Sequence, residues 1–289
     1  MLYGLSAYLL WGSFPLIISA LRFASALEVV VWRIVFGFTL AVLLVTATRA
    51  WGSVREVLRQ PKMLVWIGIS SIFIYGNWLI YVYGVASKQI VETALGYFIN
   101  PLVTILLAVV FLREKLSRLQ WVAVGLGLLA VTVLSFDYGR LPWIALALAG
   151  SFGIYGLAKN KLGGKVSALN SFALESGFLL PLAAGQLFCL TASPGGVLFA
   201  SAGFWGSFGL IGFGLMTAGP LIFFGAAAKH LPLSWIGFMQ YLTPIIQFTL
   251  ALTVFHEPMA PAKWAGFALV WLGLSVLSVD AIRRRRQRD

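Results

Sequence analysis

Apolar residues run along this chain in stretches of about twenty, divided by short breaks where charges, prolines and glycines gather. A hydrocarbon core of about 30 Å takes roughly 20 helical residues per crossing. Dividing the chain at its breaks predicts ten membrane helices, at 2–21, 27–47, 63–86, 92–112, 119–136, 141–158, 169–190, 204–228, 234–255 and 261–281. The longer connections fall near 48–62 and 191–203, and none has room for a soluble domain. Ala24-Ser25-Ala26 looks like a signal-cleavage site. No basic segment precedes the first run, however, and the run exceeds the roughly 7–15 residues of a signal core, so it is read as a helix that stays.

Composition agrees with the pattern. Hydrophobic residues make up 60% of the 289 and charged residues only 10%, against about 25% in a soluble domain. The net charge is +12. Such an excess raises nucleic acid as a partner, but the cations sit between apolar runs, so no nucleic acid is expected. With the termini inside, the inner cations are Arg49, Arg55, Arg59, Lys62, Arg113, Lys115, Arg118, Lys159, Lys161, Lys165, Lys229 and the five arginines of 283–288. The outer ones are Arg22, Lys88, Arg140 and Lys263, and Arg33 lies within a span. Sixteen against four is a strong positive-inside bias and predicts cytoplasmic termini. The tail Arg283-Arg284-Arg285-Arg286 reads as a stop anchor, with recognition of acidic lipid as the alternative. One cysteine, Cys189, excludes an intramolecular disulfide, and two histidines are too few for a histidine metal cluster. No cofactor or metal is expected.

A shift of 143 residues aligns the fourth and fifth spans with the ninth and tenth. Pro101 meets Pro244, Glu114 meets Glu257, Trp121 meets Trp264, and Asp137 meets Asp280. Five spans per repeat is odd, so the halves cross the membrane in opposite senses. The expected fold is all-α, ten transmembrane helices as two inverted repeats, 1–140 and 141–289. Inverted repeats recur in secondary transporters that hold substrate near the midplane.

Several motifs add a family resemblance: Ala7-Tyr8 with Trp11-Gly12 and Pro15, Arg33, Asn77-Trp78, Glu92, and Gly96-Tyr97-Phe98-Ile99-Asn100-Pro101-Leu102. In the second half they are Glu175, Leu231-Pro232-Leu233-Ser234, Gln240-Tyr241-Leu242 with Pro244, and Glu257-Pro258. With these the sequence resembles the drug/metabolite transporter superfamily, EamA type, and its RarD-like permeases. The resemblance implies a ten-helix carrier of the bacterial inner membrane with a central cavity. RarD-like proteins carry a chloramphenicol-sensitivity label. Where the family pattern has a Lys soon after Pro15, this chain has Ile17-Ile18.

In-span charges cost about 2.5–3.5 kcal/mol on insertion scales and usually face an interior. Arg33 and Glu175 each lie about six residues into their spans, from opposite sides. At 1.5 Å per residue their backbones differ in depth by about 12 Å, so no direct salt bridge is expected. They read as the cationic and anionic ends of one cavity, or else as structural tethers. Asn77 and Asn100, with Trp78 and Tyr97 adjoining them, would line the outer half, and Trp11 and Tyr81 are further candidate substrate contacts. Thr217, Gln240, Tyr241 and Thr243 would line the inner half. Interhelical hydrogen bonds and plain packing are the competing readings. Pro101 and Pro244 free the carbonyls of Tyr97 and Gln240 and predict kinks beside the cavity. Gly150, Gly153 and Gly156, and Gly206, Gly209 and Gly212, read as stripes for close packing. Glu92 reads as a cap or a proton-coupling group, and Glu114 and Glu257 as loop fasteners.

The leading expectation is a secondary-active carrier of a small organic metabolite or amphiphilic drug, working by alternating access, with protons as a candidate coupling ion. A membrane-embedded lipid-modifying enzyme would need an Asp-rich pair, HExxH or a Ser/His/Asp group in its loops, and a sensor or scaffold an interaction domain. The sequence carries neither.

Overall fold

The computed structural model describes all residues except 114, 163–165, 194, 221–222, 225–226, 228–238 and 287–289. Its helices are α1 (Leu2–Ala20), α2 (Ala26–Ala47), α3 (Trp51–Leu58), α4 (Pro61–Ala86), α5 (Ile90–Leu112) and α6 (Arg118–Tyr138). There follow α7 (Trp143–Leu162), α8 (Ala168–Thr191), α9 (Gly203–Met216), α10 (Leu242–Thr253) and α11 (Pro261–Arg286). Seven of them, α1, α2, α4, α5, α6, α8 and α11, are long and apolar enough to cross a membrane. The protein is therefore a multi-pass membrane protein. The end of the eighth expected span and the start of the ninth lie outside the described residues, as does Glu114.

The ten expected spans meet eleven described helices. The extra one, α3, falls in the segment read as a loop. Val54 and Val57 form its buried edge. Val54 packs with Ala41, Val45 and Phe172, and Val57 with Ile67 and Leu162. Arg55 and Arg59 lie between and beyond them. At eight residues it is about 12 Å long, too short to cross.

Large apolar side chains point outward from the bundle, among them Phe136, Phe188, Phe204, Trp205 and Leu2. In water this would be an aggregation hazard; against lipid it is the expected exterior. Helix association in lipid rests on close packing and interhelical polar bonds rather than on apolar burial. Here α2 lies along α8, α6 along α11, and α5 along α7 and α10. In addition α1 packs on α10, α4 on α7 and α8, and α2 on α9. A Cβ at Gly96 would stand 2.9 Å from the Ala145 carbonyl oxygen and 2.9 Å from Leu148 Cβ, so α5 and α7 touch backbone to backbone. The glycine stripes are only partly used. Gly153 faces Leu107, but a Cβ at Gly150, Gly156 or Gly212 would meet open space.

Helix ends are tied by buried acids. Glu28 accepts from the backbone N–H groups of Leu198 and Phe199, at 2.8 Å each, and from Trp32 Nε1 at 3.3 Å. Glu92, in the first turn of α5, accepts from Ile144 N at 2.9 Å and pairs with Arg140 at 2.8 Å. It thus caps the neighbouring helix α7 as well as suiting the dipole of its own. Glu257 spreads its two oxygens over Ile90 N (2.6 Å) and Val91 N (2.9 Å), fastening the start of α5 to the α10–α11 loop. Burial pushes the Glu257 carboxyl above its usual range, against the opposing pull of those two N–H groups and of Lys263. On the opposite side of the bundle, Ser117 Oγ donates to Asp280.

Candidate functional site

Two helices carry the in-span charges, and their starts are built alike. Ser25 caps α2 by accepting from Glu28 N, and Ser167 caps α8 by accepting from Asn170 N. Counted from these caps, Arg33 and Glu175 stand at the same position, eight residues in. The surroundings of the two side chains are opposite.

Arg33 is 5% exposed and sits where α1, α2, α4 and α9 meet. Its guanidinium carbon lies 4.2 Å from the centre of the Trp78 ring, 5.2 Å from Phe213 and 5.5 Å from Phe14. Neither of the ion pairs among the described residues involves it, and its Nε has no hydrogen-bond partner. Tyr81 and Tyr97 stand close enough to feel its charge. Their rings meet edge to face at 5.7 Å. The Tyr81 hydroxyl is buried and unpartnered. The Tyr97 hydroxyl donates to Asn77 Oδ1 at 3.3 Å, and Asn77 Nδ2 donates to Leu148 O (3.1 Å) and Ser151 Oγ (3.0 Å). A Cβ at Gly214 would lie 2.6 Å from Phe36 Cβ and 3.0 Å from the Trp32 carbonyl, so α9 presses its bare backbone on α2 beside Arg33.

Glu175 is 4% exposed and has three polar partners, all on Oε1. It pairs with Lys159 Nζ at 2.6 Å and accepts from Ser70 Oγ (2.7 Å) and Ser171 Oγ (3.2 Å). Lys159 also donates to Ser171 and lies 5.1 Å from the Tyr155 ring centre. Arg33 and Glu175 form no salt bridge with each other.

Of the residues picked from sequence, the fold gathers Arg33, Asn77, Trp78, Tyr81 and Tyr97. The others are dispersed. Trp11 and Thr243 lie at the α1–α10 contact, where Thr243 Oγ1 donates to Tyr8 O at 3.2 Å and Gln247 Nε2 to Trp11 O at 3.3 Å. Tyr241 lines a cavity of about 610 Å³ with Phe98, Ile245, Phe248 and Trp271. Gln240 is exposed. Thr217 bonds its own helix at Phe213 O. Asn100 leaves a buried Oδ1 without a partner. Pro101 sits inside an unbroken α5, whereas Pro244 falls in the first turn of α10, where its missing N–H breaks no helix bond.

Lys159, Phe14, Phe213, Ser70 and Gln247 were not picked from sequence. The matched Ser caps could have paired Arg33 with Glu175 at a shift of 142; the 143 register of the later spans sets Arg33 against Ser176.

An all-helical membrane bundle encloses Arg33, a buried cation that pairs with no acid among the described residues. The model of the EamA-like transporter family matches residues 1–136. "Protein RarD" of Streptomyces exfoliatus is 45% identical over 287 residues, covering 99% of this chain and 90% of the relative. "Protein RarD" of Escherichia coli K12 is 36% identical, covering 99% and 96%. An "uncharacterized transporter" of Vibrio cholerae is 37% identical, covering 98% and 92%. A solved crystal structure matches at 20% identity with a TM-score of 0.59, covering 98% and 97%, and supports the fold alone. The chain belongs to the EamA-like transporter family, among its RarD-type members.

Proposed function

We propose that this protein is a secondary-active carrier of a small organic solute with an anionic group, bound at Arg33 and moved by alternating access. The observation that carries the reading is Arg33 itself: a buried cation, ringed by aromatics and without an acid among the described residues. Leaving a charge uncompensated inside a bundle costs several kcal/mol, which a site built to receive an anion recovers on binding.

The architecture proposed for it is ten crossings in two inverted halves, 1–140 and 141–289, with α3 lying at the inner surface. Exchanging the halves turns the α5–α7 contact into α10–α1 and the α4–α8 contact into α9–α2, and returns α2–α8, α6–α11 and α5–α10 to themselves. All of these contacts are present, which supports the pairing. Cytoplasmic termini follow from the sixteen-to-four bias of the cations. Membrane lipids are the surrounding partner.

The cavity assignment is tested by single cysteines at 33, 77, 100, 175 and 241 in a background lacking Cys189. Water-soluble thiol reagents should modify them in membranes, and uniform inertness in folded protein would remove the cavity. The coupling ion we assign to the proton, carried at Glu175, because a carboxylate buried among Ser70, Ser171 and Lys159 can trade its cation for a proton. Glu175→Gln should then abolish pH-driven uptake in proteoliposomes and leave solute exchange intact. Unaltered pH-driven uptake would end that role.

A further inference from the structure

We infer that the solute is a monocarboxylate with an apolar or aromatic body, rather than an amino acid or a phosphate ester. This rests on the organic-anion reading above and narrows it.

Two unspent polar groups at the site can donate. Arg33 Nε and the Tyr81 hydroxyl are buried and unpartnered. The Tyr97 hydroxyl and the Asn77 amide are already committed to each other, to Leu148 and to Ser151. A planar guanidinium edge with one adjacent hydroxyl matches the two in-plane oxygens of a carboxylate. The charge count sets the valence. Arg33 is one positive charge, and Lys159, the other cation reaching the helix interior among the described residues, is held by Glu175. A phosphate monoester carries close to two negative charges at neutral pH, so one would remain buried and uncompensated.

An amino acid fails on the opposite side. Its ammonium needs a carboxylate close to the one that Arg33 binds, and no acid pairs with Arg33 among the described residues. The buried carboxylates are engaged elsewhere: Glu175 Oε1 with Lys159, Ser70 and Ser171, Glu28 Oε1 with Leu198, Phe199 and Trp32, and Glu92 with Arg140 and Ile144. The aromatic faces of Trp78, Phe14 and Phe213 already hold the guanidinium. What the aromatics offer a ligand is apolar surface around its carboxylate.

The test uses the purified full chain in nanodiscs and four probes sharing one ring: phenylacetate, phenylalanine, phenyl phosphate and phenethylamine. A panel of aliphatic monocarboxylates is added. Binding of the carboxylates should exceed that of the other three probes. Arg33→Lys, which keeps the charge but loses the fork, should weaken it at least about tenfold, and so should Tyr81→Phe, through loss of a hydrogen bond to a charged group. The second variant keeps the inference testable should the first fail to fold. Phenyl phosphate or phenylalanine binding better than phenylacetate, in an Arg33-dependent way, overturns the monocarboxylate class and leaves the anion site standing. Phenethylamine bound better than every carboxylate, and equally by wild type and Arg33→Lys, overturns both. No binding by any monocarboxylate overturns the inference as well.

Discussion

Replacing Lys159 by methionine should lower the thermal stability of the purified protein by about 3 kcal/mol, and replacing Glu175 by glutamine in the same chain should restore most of it. The pair is 2.6 Å apart, with the Glu175 side chain 5% and the Lys159 side chain 30% exposed. Breaking a buried pair from one side costs about 3–5 kcal/mol, because the surviving charge is left in a low-dielectric interior. The partial exposure of Lys159 puts the expected loss at the lower end. In the single variant Glu175 retains the hydroxyls of Ser70 and Ser171, which stabilise its charge only in part. Removing both charges leaves a neutral amide that can accept from the same hydroxyls. The measurement is a melting curve of wild type, both singles and the double in one lipid composition. A loss in the double equal to the sum of the two single losses would mean that the two charges do not interact.

The second large effect is expected at Gly96. Gly96→Ala should destabilise the protein by about 2–3 kcal/mol and reduce transport, while Gly125→Ala on α6 should leave both unchanged. The added Cβ at Gly96 meets the Ala145 carbonyl oxygen at 2.9 Å, Leu148 Cβ at 2.9 Å and Ala145 Cα at 3.1 Å, so the obstacle is largely backbone. Relief requires α5 to move off α7. That movement pulls on Tyr97, next in the chain, and on its link through Asn77 to Leu148 O. A Cβ at Gly125 meets nothing within 4 Å. A fall in stability at Gly96 without loss of transport would separate the α5–α7 contact from the site.

Much of this fold is legible from spacing. Where the described residues allow a comparison, helix bounds such as Ala26–Ala47 and Ala168–Thr191 fall within a residue of the expected spans 27–47 and 169–190. The bilayer is the reason, since each crossing must be an unbroken apolar helix that satisfies its own backbone. The missed helix α3 had a weaker signal, two valines three residues apart among charges. The site was only half legible. Arg33 and Glu175 stand out because a charge within an apolar span is rare. Their partners do not. Lys159 counts as a loop cation by position, yet its four-carbon stem reaches back to Glu175. Phe14 and Phe213 are two phenylalanines among 22, marked only by where their helices bring them.

The sequence by itself determined the apolar helices that suit a bilayer and the two charges that break the apolar rule. Only the tertiary structure decided that these charges, at matching positions in α2 and α8, differ in kind: Glu175 is paired with Lys159, and Arg33 sits among aromatic rings with no acid paired to it among the described residues. The physical reason is that the energy of a buried charge depends on the groups within a few ångströms of it. Around Arg33 those groups come from α1, α4 and α9, far apart in the chain and adjacent only once the helices pack.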